Sequence, residues 1–145
     1  MSFVPSPAQQ GLLDLVASSH QGVLATIKSD GRPQLSNISY LYEPERQLVR
    51  VSITADRAKF HNARRDPRVS LHVSSGDFWK WATIDATAEL TPVAADPHDA
   101  ATDELVELYR GLAGEHPNWD EYRAAMVSDR RVVLRLSVEH VYGQS

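Results

Sequence analysis

Arg57 and Lys59 stand two residues apart in TADRAKFHNARRDPR (residues 54–68), and together they can bind an anion. The stretch carries Arg57, Lys59, Arg64, Arg65 and Arg68 against Asp56 and Asp66, a net charge of +3 in a chain whose total is −4. Read as a short helix with Asp56 as N-cap and an end at Asp66-Pro67, it makes Arg57 the first helical residue and Lys59 the third. Both cations then face the positive end of the helix dipole, which costs about 0.3–1 kcal/mol each on an exposed helix. No carboxylate relieves them, because His61 and Ala63 stand four positions on. A bound phosphate resolves the conflict, since free backbone N–H groups, a guanidinium fork and an ammonium would meet it together. The competing account is a solvated basic face packed against acidic helices of the same chain. Arg64, Arg65 and Arg68 suit that account, because cations are favourable in and beyond the last turn.

The strands that must flank this helix carry a second set of polar residues. A symmetric turn at EPER (43–46) sets Asn37 roughly opposite Ser52, with Gln34, Ser36 and Thr54 also polar on these strands. Asn37 and Ser52 offer both donors and acceptors, enough to read the edge of a flat heterocycle whose phosphate arm rests on the helix. A slip of one residue would put the two on opposite faces. An ordinary polar outer face is the alternative, above all for Ser36 and Ser39. Trp79 and Trp81 are two apart and share a face of one strand, as half-buried core, as an interface, or as a platform for an aromatic ligand.

Much chemistry is absent. The chain has no cysteine, which excludes disulfides, thiol nucleophiles and thiolate metal sites and is consistent with a cytoplasmic location. No glycine-rich dinucleotide loop, phosphate-loop motif, GxSxG or paired-histidine zinc motif occurs. The six histidines are scattered; His98 with Thr102 and Asp103 reads as a solvated helix start, and no metal site is expected. No apolar run approaches the ~20 residues of a membrane helix. The start MSFVPSPAQQ has no basic-then-apolar leader pattern. A pI near 5.8 and a short basic stretch without interleaved aromatics argue against nucleic acid. If the protein is an enzyme, a cofactor brings the reactive group.

Its 145 residues suit one domain. PSPAQQGLLDLVASS predicts a short helix with Leu12, Leu13 and Val16 on one side. Residues 21–42 predict two strands joined at Asp30-Gly31, a strong hairpin signal because glycine takes positive φ cheaply. QLVRVSIT (47–54), RVSLHVS (68–74) and FWKWATIDATAEL (78–90) predict strands three to five. ADPHDAATDELVELYRGLAG predicts a helix capped by Asp96, with Pro97 in its first turn, Ala101, Leu105, Leu108 and Leu112 buried, and Gly114 at its end. Asn118 and Glu121 resemble a capping box for a helix through Met126. Residues 130–143 predict a sixth strand, with a short seventh left open. Strands arriving mostly as hairpins, with helices between them, indicate a mainly β, α+β chain built as a six-stranded antiparallel barrel with flanking helices.

GVLATIKSDGRPQLSNISY, VRVSITADRAKFHNARRDPRVSLHV and GDFWKWATIDATAEL, in that order, resemble the split β-barrel flavin/deazaflavin oxidoreductase superfamily, which includes the pyridoxamine 5′-phosphate oxidase-like proteins. The resemblance covers about residues 20–143. GEHPNWDEYRAAMVSDRRVVLRLSVEHVYG is similar to the actinobacterial branch that binds coenzyme F420, a deazaflavin. The resemblance implies a homodimer with two cofactor sites at the subunit interface. It implies that Arg57 and Lys59 hold the cofactor phosphate. Gln34, Asn37 and Ser52 would contact the ring, partly through backbone groups of Ser36 and Ile53, with Asn62 assisting and Trp79 arriving from the second subunit. Lys28, Arg32 or Lys80 would meet the acidic tail of the coenzyme. The implied activity is hydride transfer from reduced F420 to a small conjugated acceptor, with Tyr40, Tyr42 and water all open as proton donor. An FMN-dependent oxidase is the alternative, weakened because a chain ending VEHVYGQS shows no residues for a substrate phosphate. A non-catalytic F420 carrier is the third reading.

Overall fold

The computed structural model describes residues 3–145. Met1 and Ser2, part of the stretch read as lacking a leader, lie outside them. Helix α1 (Pro7–Ala17) starts in a complete capping box: Ser6 Oγ accepts the Gln9 N–H, and the Gln9 side chain accepts the Ser6 N–H. Strands β1 (Gln21–Ile27) and β2 (Pro33–Ser39) form the expected hairpin. Its turn is closed by Gly31 N–H donating to the Lys28 carbonyl, with Gly31 at φ 88°. Strand β3 (Leu41–Glu43), a 3₁₀ turn at Pro44–Arg46 and β4 (Leu48–Thr54) follow. Then come α2 (Ala58–Arg65), β5 (Arg68–Ser74), β6 (Trp81–Leu90), α3 (Ala100–Ala113), α4 (Trp119–Ser128) and β7 (Arg131–Gln144).

All strand pairs are antiparallel, in the order β2-β1-β5-β6-β7-β4-β3. The sheet therefore has seven strands where six were expected. The seventh is not at the C-terminus but is β3, severed from β2 at Tyr40. Consecutive strands β2 and β3 form the two edges, so the sheet must curl until β2 comes alongside β4. The result is a split barrel. Tyr40 holds the closure: its ring is fully buried and its hydroxyl donates to the Val16 carbonyl at 2.7 Å. Burial pushes its pKa up to about 12. Tyr40 is thus a structural residue rather than a proton donor.

Period-two alternation fills the interior with Leu24, Val49, Val51, Ile53, Leu71, Ile84, Leu134 and Leu136, all essentially without exposure. Strand β7 crosses the sheet with a bulge opposite Asp85/Ala86. At its far end Gly143 is obligatory, because a Cβ there would lie 2.2 Å from the Trp81 carbonyl oxygen.

Strand β6 starts three residues later than expected, at Trp81. The Asp77 carboxylate accepts from the Ser75 hydroxyl at 2.6 Å and from the Trp79 N–H at 3.1 Å, while Phe78 takes φ 71°. That turn removes Trp79 from the strand, so Trp79 and Trp81 do not share a face. Trp79 is 74% exposed, whereas Trp81 packs edge-on against Tyr142.

Helix α3 covers the outer face of β4 and β7. Arg50, nearly buried there, lies 3.8 Å from Glu104 and 3.6 Å from Glu107, and Arg135 also bonds Glu104 and Glu89. The Arg135 hydrogen bond is the main reason the Glu104 carboxyl titrates low. The α3 N-cap is Asp99 rather than Asp96: Asp99 accepts N–H bonds from Thr102, Ala95 and Asp96, so residues 95–98 form a turn before the helix. Asn118 caps α4 as expected, by accepting the Glu121 N–H.

Burial opposes ionisation of Asp99, but its N–H donors outweigh it and hold the carboxyl at about 2. The folded pKa is depressed, so this stability is present above the unfolded value and lost as pH falls toward the folded one. Asp99→Ala is expected to cost about 1 kcal/mol in urea unfolding at pH 7. The gap between variant and parent should narrow as pH falls from ~5 toward the folded value; a gap independent of pH would contradict this capping role.

Candidate functional site

Helix α2 begins one residue later than expected. Arg57 is the N-cap, at φ −85° and ψ 154°, and Asp56 lies in the turn leading into it. The Arg57 carbonyl accepts from Phe60 N–H at 3.1 Å and His61 N–H at 3.4 Å. No side chain caps the helix, so the N–H groups of Ala58 and Lys59 have no acceptor among the described residues. Arg57 therefore sits at the cap, and Lys59 is the second helical residue. The dipole conflict persists in this frame.

A third cation joins them from β7. Arg131, partly buried, donates through Nη1 to the Ser52 carbonyl at 3.3 Å and lies 3.5 Å from Ser52 Oγ. Its Nε is shielded from solvent and has no partner. Burial first, then the charges of Arg57 and Arg131, hold the Lys59 ammonium below the usual lysine range. Among the described residues, none of the three forms a salt bridge. Elsewhere the chain pairs Arg46, Arg50, Arg68, Arg110, Arg123 and Arg135 with carboxylates. Sequence reasoning missed Arg131, because RRVVLRL reads simply as a strand opening.

Strand β4 supplies the adjoining wall. Val133 donates its N–H to Thr91 Oγ1, and its carbonyl accepts the Thr91 N–H. Ser52 is its register partner, so Ser52 turns its own N–H and carbonyl away from β7. Ala55 N–H bonds the Arg130 carbonyl, and the same alternation commits the Ile53 backbone to Val132. With its side chain also in the core, Ile53 has nothing to offer a ligand; the open backbone belongs to Ser52. Strand β3 covers β4 only at residues 48–50, and β2 pairs only with β1. Two unpaired strand edges thus flank the split.

The remaining residues separate. Asn37 and Ser52 are not cross-strand partners: Asn37 pairs with Val23, and Ser52 with Val133. Asn37 lines a cavity on the outer face with Gln21, Val23 and His72. Ser52 lines a neighbouring cavity, and the two cavities share Gln21 and Ser39. Gln34 turns toward α2, where its Oε1 accepts from Asn62 Nδ2 at 3.2 Å. Asn62 is buried and has both amide hydrogens engaged; it also donates to Thr26 Oγ1 and accepts from Arg65 Nη2 at 2.9 Å. It positions α2 against β1 and β2. Ser36 is half-buried on β2. Among the described residues no cluster of His, Asp or Glu has metal-binding geometry, and no helix is long and apolar enough to cross a membrane.

The larger cavity holds about 750 Å³ between β4, β7, α3 and α4. A second, of about 490 Å³, lies around Thr54, Asp56, Arg57, Asp129, Arg130 and Arg131, so two carboxylates share it with the cations. Arg131 lines both, and Thr54 and Ser52 are two residues apart on β4. The donor set suits a phosphate joined to an extended organic group: three cations outside any salt bridge among the described residues, two free N–H groups, and a cavity leading away.

Residues 9–145 match the family model described as pyridoxamine 5′-phosphate oxidase. Among solved structures, the chain is similar to the conserved hypothetical protein Rv2991 of Mycobacterium tuberculosis, at 23% identity and a TM-score of 0.72, over 99% of this chain and 87% of that one. It is similar to an F420 reductase at 23% identity and a TM-score of 0.66, over 96% and 98%. A FAD-binding protein of Mesorhizobium loti matches at 19% identity and a TM-score of 0.66, over 92% and 90%. At these identities the structures attest the fold.

An anion at α2 favours the charged form of Lys59. Inorganic phosphate should therefore raise the Lys59 pKa, followed by side-chain NMR, and so should Arg57→Gln. A Lys59 titration indifferent to both would contradict the cluster.

Proposed function

Because the chain belongs to the pyridoxamine 5′-phosphate oxidase family, we propose that it is an oxidoreductase binding a phosphorylated flavin-like cofactor, coenzyme F420 in particular. The observation that carries this reading is the group of Arg57, Lys59 and Arg131, none in a salt bridge among the described residues, beside the free N–H groups of α2. Arg57 and Lys59 would hold the phosphate, as fork and point charge, with Ala58 and Lys59 N–H completing its shell. The Ser52 backbone edge and Ser36 would meet the ring at the split, Gln34 and Asn62 setting the shape of that wall. When bound, reduced F420 supplies a hydride to a small conjugated acceptor. The protein's own part is to fix the cofactor's position, exclude water and keep the positive charge in place.

The choice of F420 rests on the similar F420 reductase and on the resemblance carried by residues 114–143. FMN remains the second reading, favoured by the family's description and by the similar FAD-binding protein; a non-catalytic carrier needs the same site. We further propose a homodimer with shared sites. The exposure of Trp79 and Phe78, 74% and 80% on one turn, supports that reading.

Titration of the apo protein with reduced and oxidised F420 and with FMN, followed by fluorescence, tests the reading. Tighter binding of F420 is expected; a clear preference for FMN would transfer the function to the flavin oxidases. Lys59→Ala should weaken binding by ~1.5–3 kcal/mol, the scale of a hydrogen bond to a charged group. Sedimentation should show a dimer; a monomer with full cofactor affinity would remove the shared site.

A further inference from the structure

The 750 Å³ cavity has a polar wall, formed by residues 18–21 with Ser39 and Ser52, and an apolar wall facing it. Leu108 and Leu112 of α3 and Tyr122 and Met126 of α4 form its apolar side. The Tyr122 hydroxyl is already committed to the Leu105 carbonyl at 3.1 Å, so Tyr122 presents its ring. Tyr109, His116, Trp119 and Tyr122 pack edge to face or tilted, with centroids 5.0–5.6 Å apart. That cluster clamps α3 to α4 and makes the wall rigid rather than collapsible. At the β4 end stands Arg131, whose guanidinium bonds only the two oxygens of Ser52 among the described residues. Among those residues no carboxylate lines this cavity; Asp56 and Asp129 line the adjoining one. Half-buried positive charge at the end of this slot opposes cations and leaves anions unopposed.

We propose that this cavity is the acceptor site and that it selects a flat, apolar acid, its carboxylate meeting the outer guanidinium nitrogens of Arg131 and its body lying between Leu112, Tyr122 and Met126. The name acceptor rests on the reading of the preceding subsection; the binding itself does not, because it belongs to the empty protein. Arg131 thereby acts as a specificity residue placed between the phosphate corner and the acceptor. A neutral acceptor of the same shape keeps the apolar contacts and forfeits the charge-assisted bond.

Calorimetric titration of the apo protein with trans-cinnamate and with cinnamamide, its uncharged counterpart, tests this. Cinnamate should bind about tenfold tighter or more, the worth of one hydrogen bond to a charged group. Arg131→Gln should bring the ratio near unity, and Arg131→Lys should keep a preference for the acid. Leu112→Trp, which fills the slot, should weaken both ligands, with far-UV circular dichroism confirming that each variant folds. Lys59→Ala should leave the ratio unchanged, which separates this site from the phosphate corner. Equal affinity of the two ligands, a preference that survives Arg131→Gln, or no saturable heat at millimolar ligand would overturn the proposal. A failure to bind F420 or FMN would overturn the cofactor reading and leave this one standing.

Discussion

The split in the barrel is the constraint from which the rest follows. Two edge strands that are consecutive in sequence force the sheet to curl, and the cover of β4 by β3 stops at the Leu41–Arg50 pair. Beyond that point β4 has one face of its ladder open, and Ser52 turns its backbone into the opening. A bare edge in water invites association with other strands. Here it lies beside the start of a helix with free N–H groups and three cations. Backbone donors, dipole and formal charge all converge on one corner.

The distribution of ion pairs shows that this concentration of charge is local. Under α3, Arg50 and Arg135 share Glu104, and each guanidinium answers the desolvation of the carboxylate it touches. Near the split, burial first and then the charges of Arg57 and Arg131 lower the Lys59 pKa. A fold able to place carboxylates so closely around one arginine pair leaves another cation group outside any salt bridge among the described residues. The stability it forgoes is of order a few tenths to one kcal/mol per exposed charge at a helix terminus, an amount that a single charge-assisted hydrogen bond to a ligand recovers.

Much of this was legible in the residues themselves. Asp30-Gly31 marked its hairpin because the turn needs positive φ, and Asn118 marked a helix start because its side chain is a short acceptor. Arg57 and Lys59 stood out because their placement contradicts helix electrostatics. What escaped depended on long-range contacts. The break at Tyr40 is set by a hydroxyl reaching Val16, 24 residues away. Asn37 and Ser52 seemed to face each other only while β2 and β4 were assumed to pair; the barrel sends β2 to β1 instead. Asn62 looked available on its helix, and only the arrival of Thr26, Gln34 and Arg65 engages its amide. Arg131 could be appreciated only once β7 lay beside β4.

The central claim is that the cation corner exists to hold a phosphate. The most direct measurement compares FMN with riboflavin, which is the same ring without the phosphate, by calorimetry on the apo protein and on the Arg57→Ala/Lys59→Ala double variant. The account predicts that FMN binds the parent roughly a hundredfold tighter than riboflavin, the worth of two charge-assisted hydrogen bonds, and that the double variant nearly abolishes the difference. Equal affinities in the parent, or a difference that persists in the double variant, would contradict it.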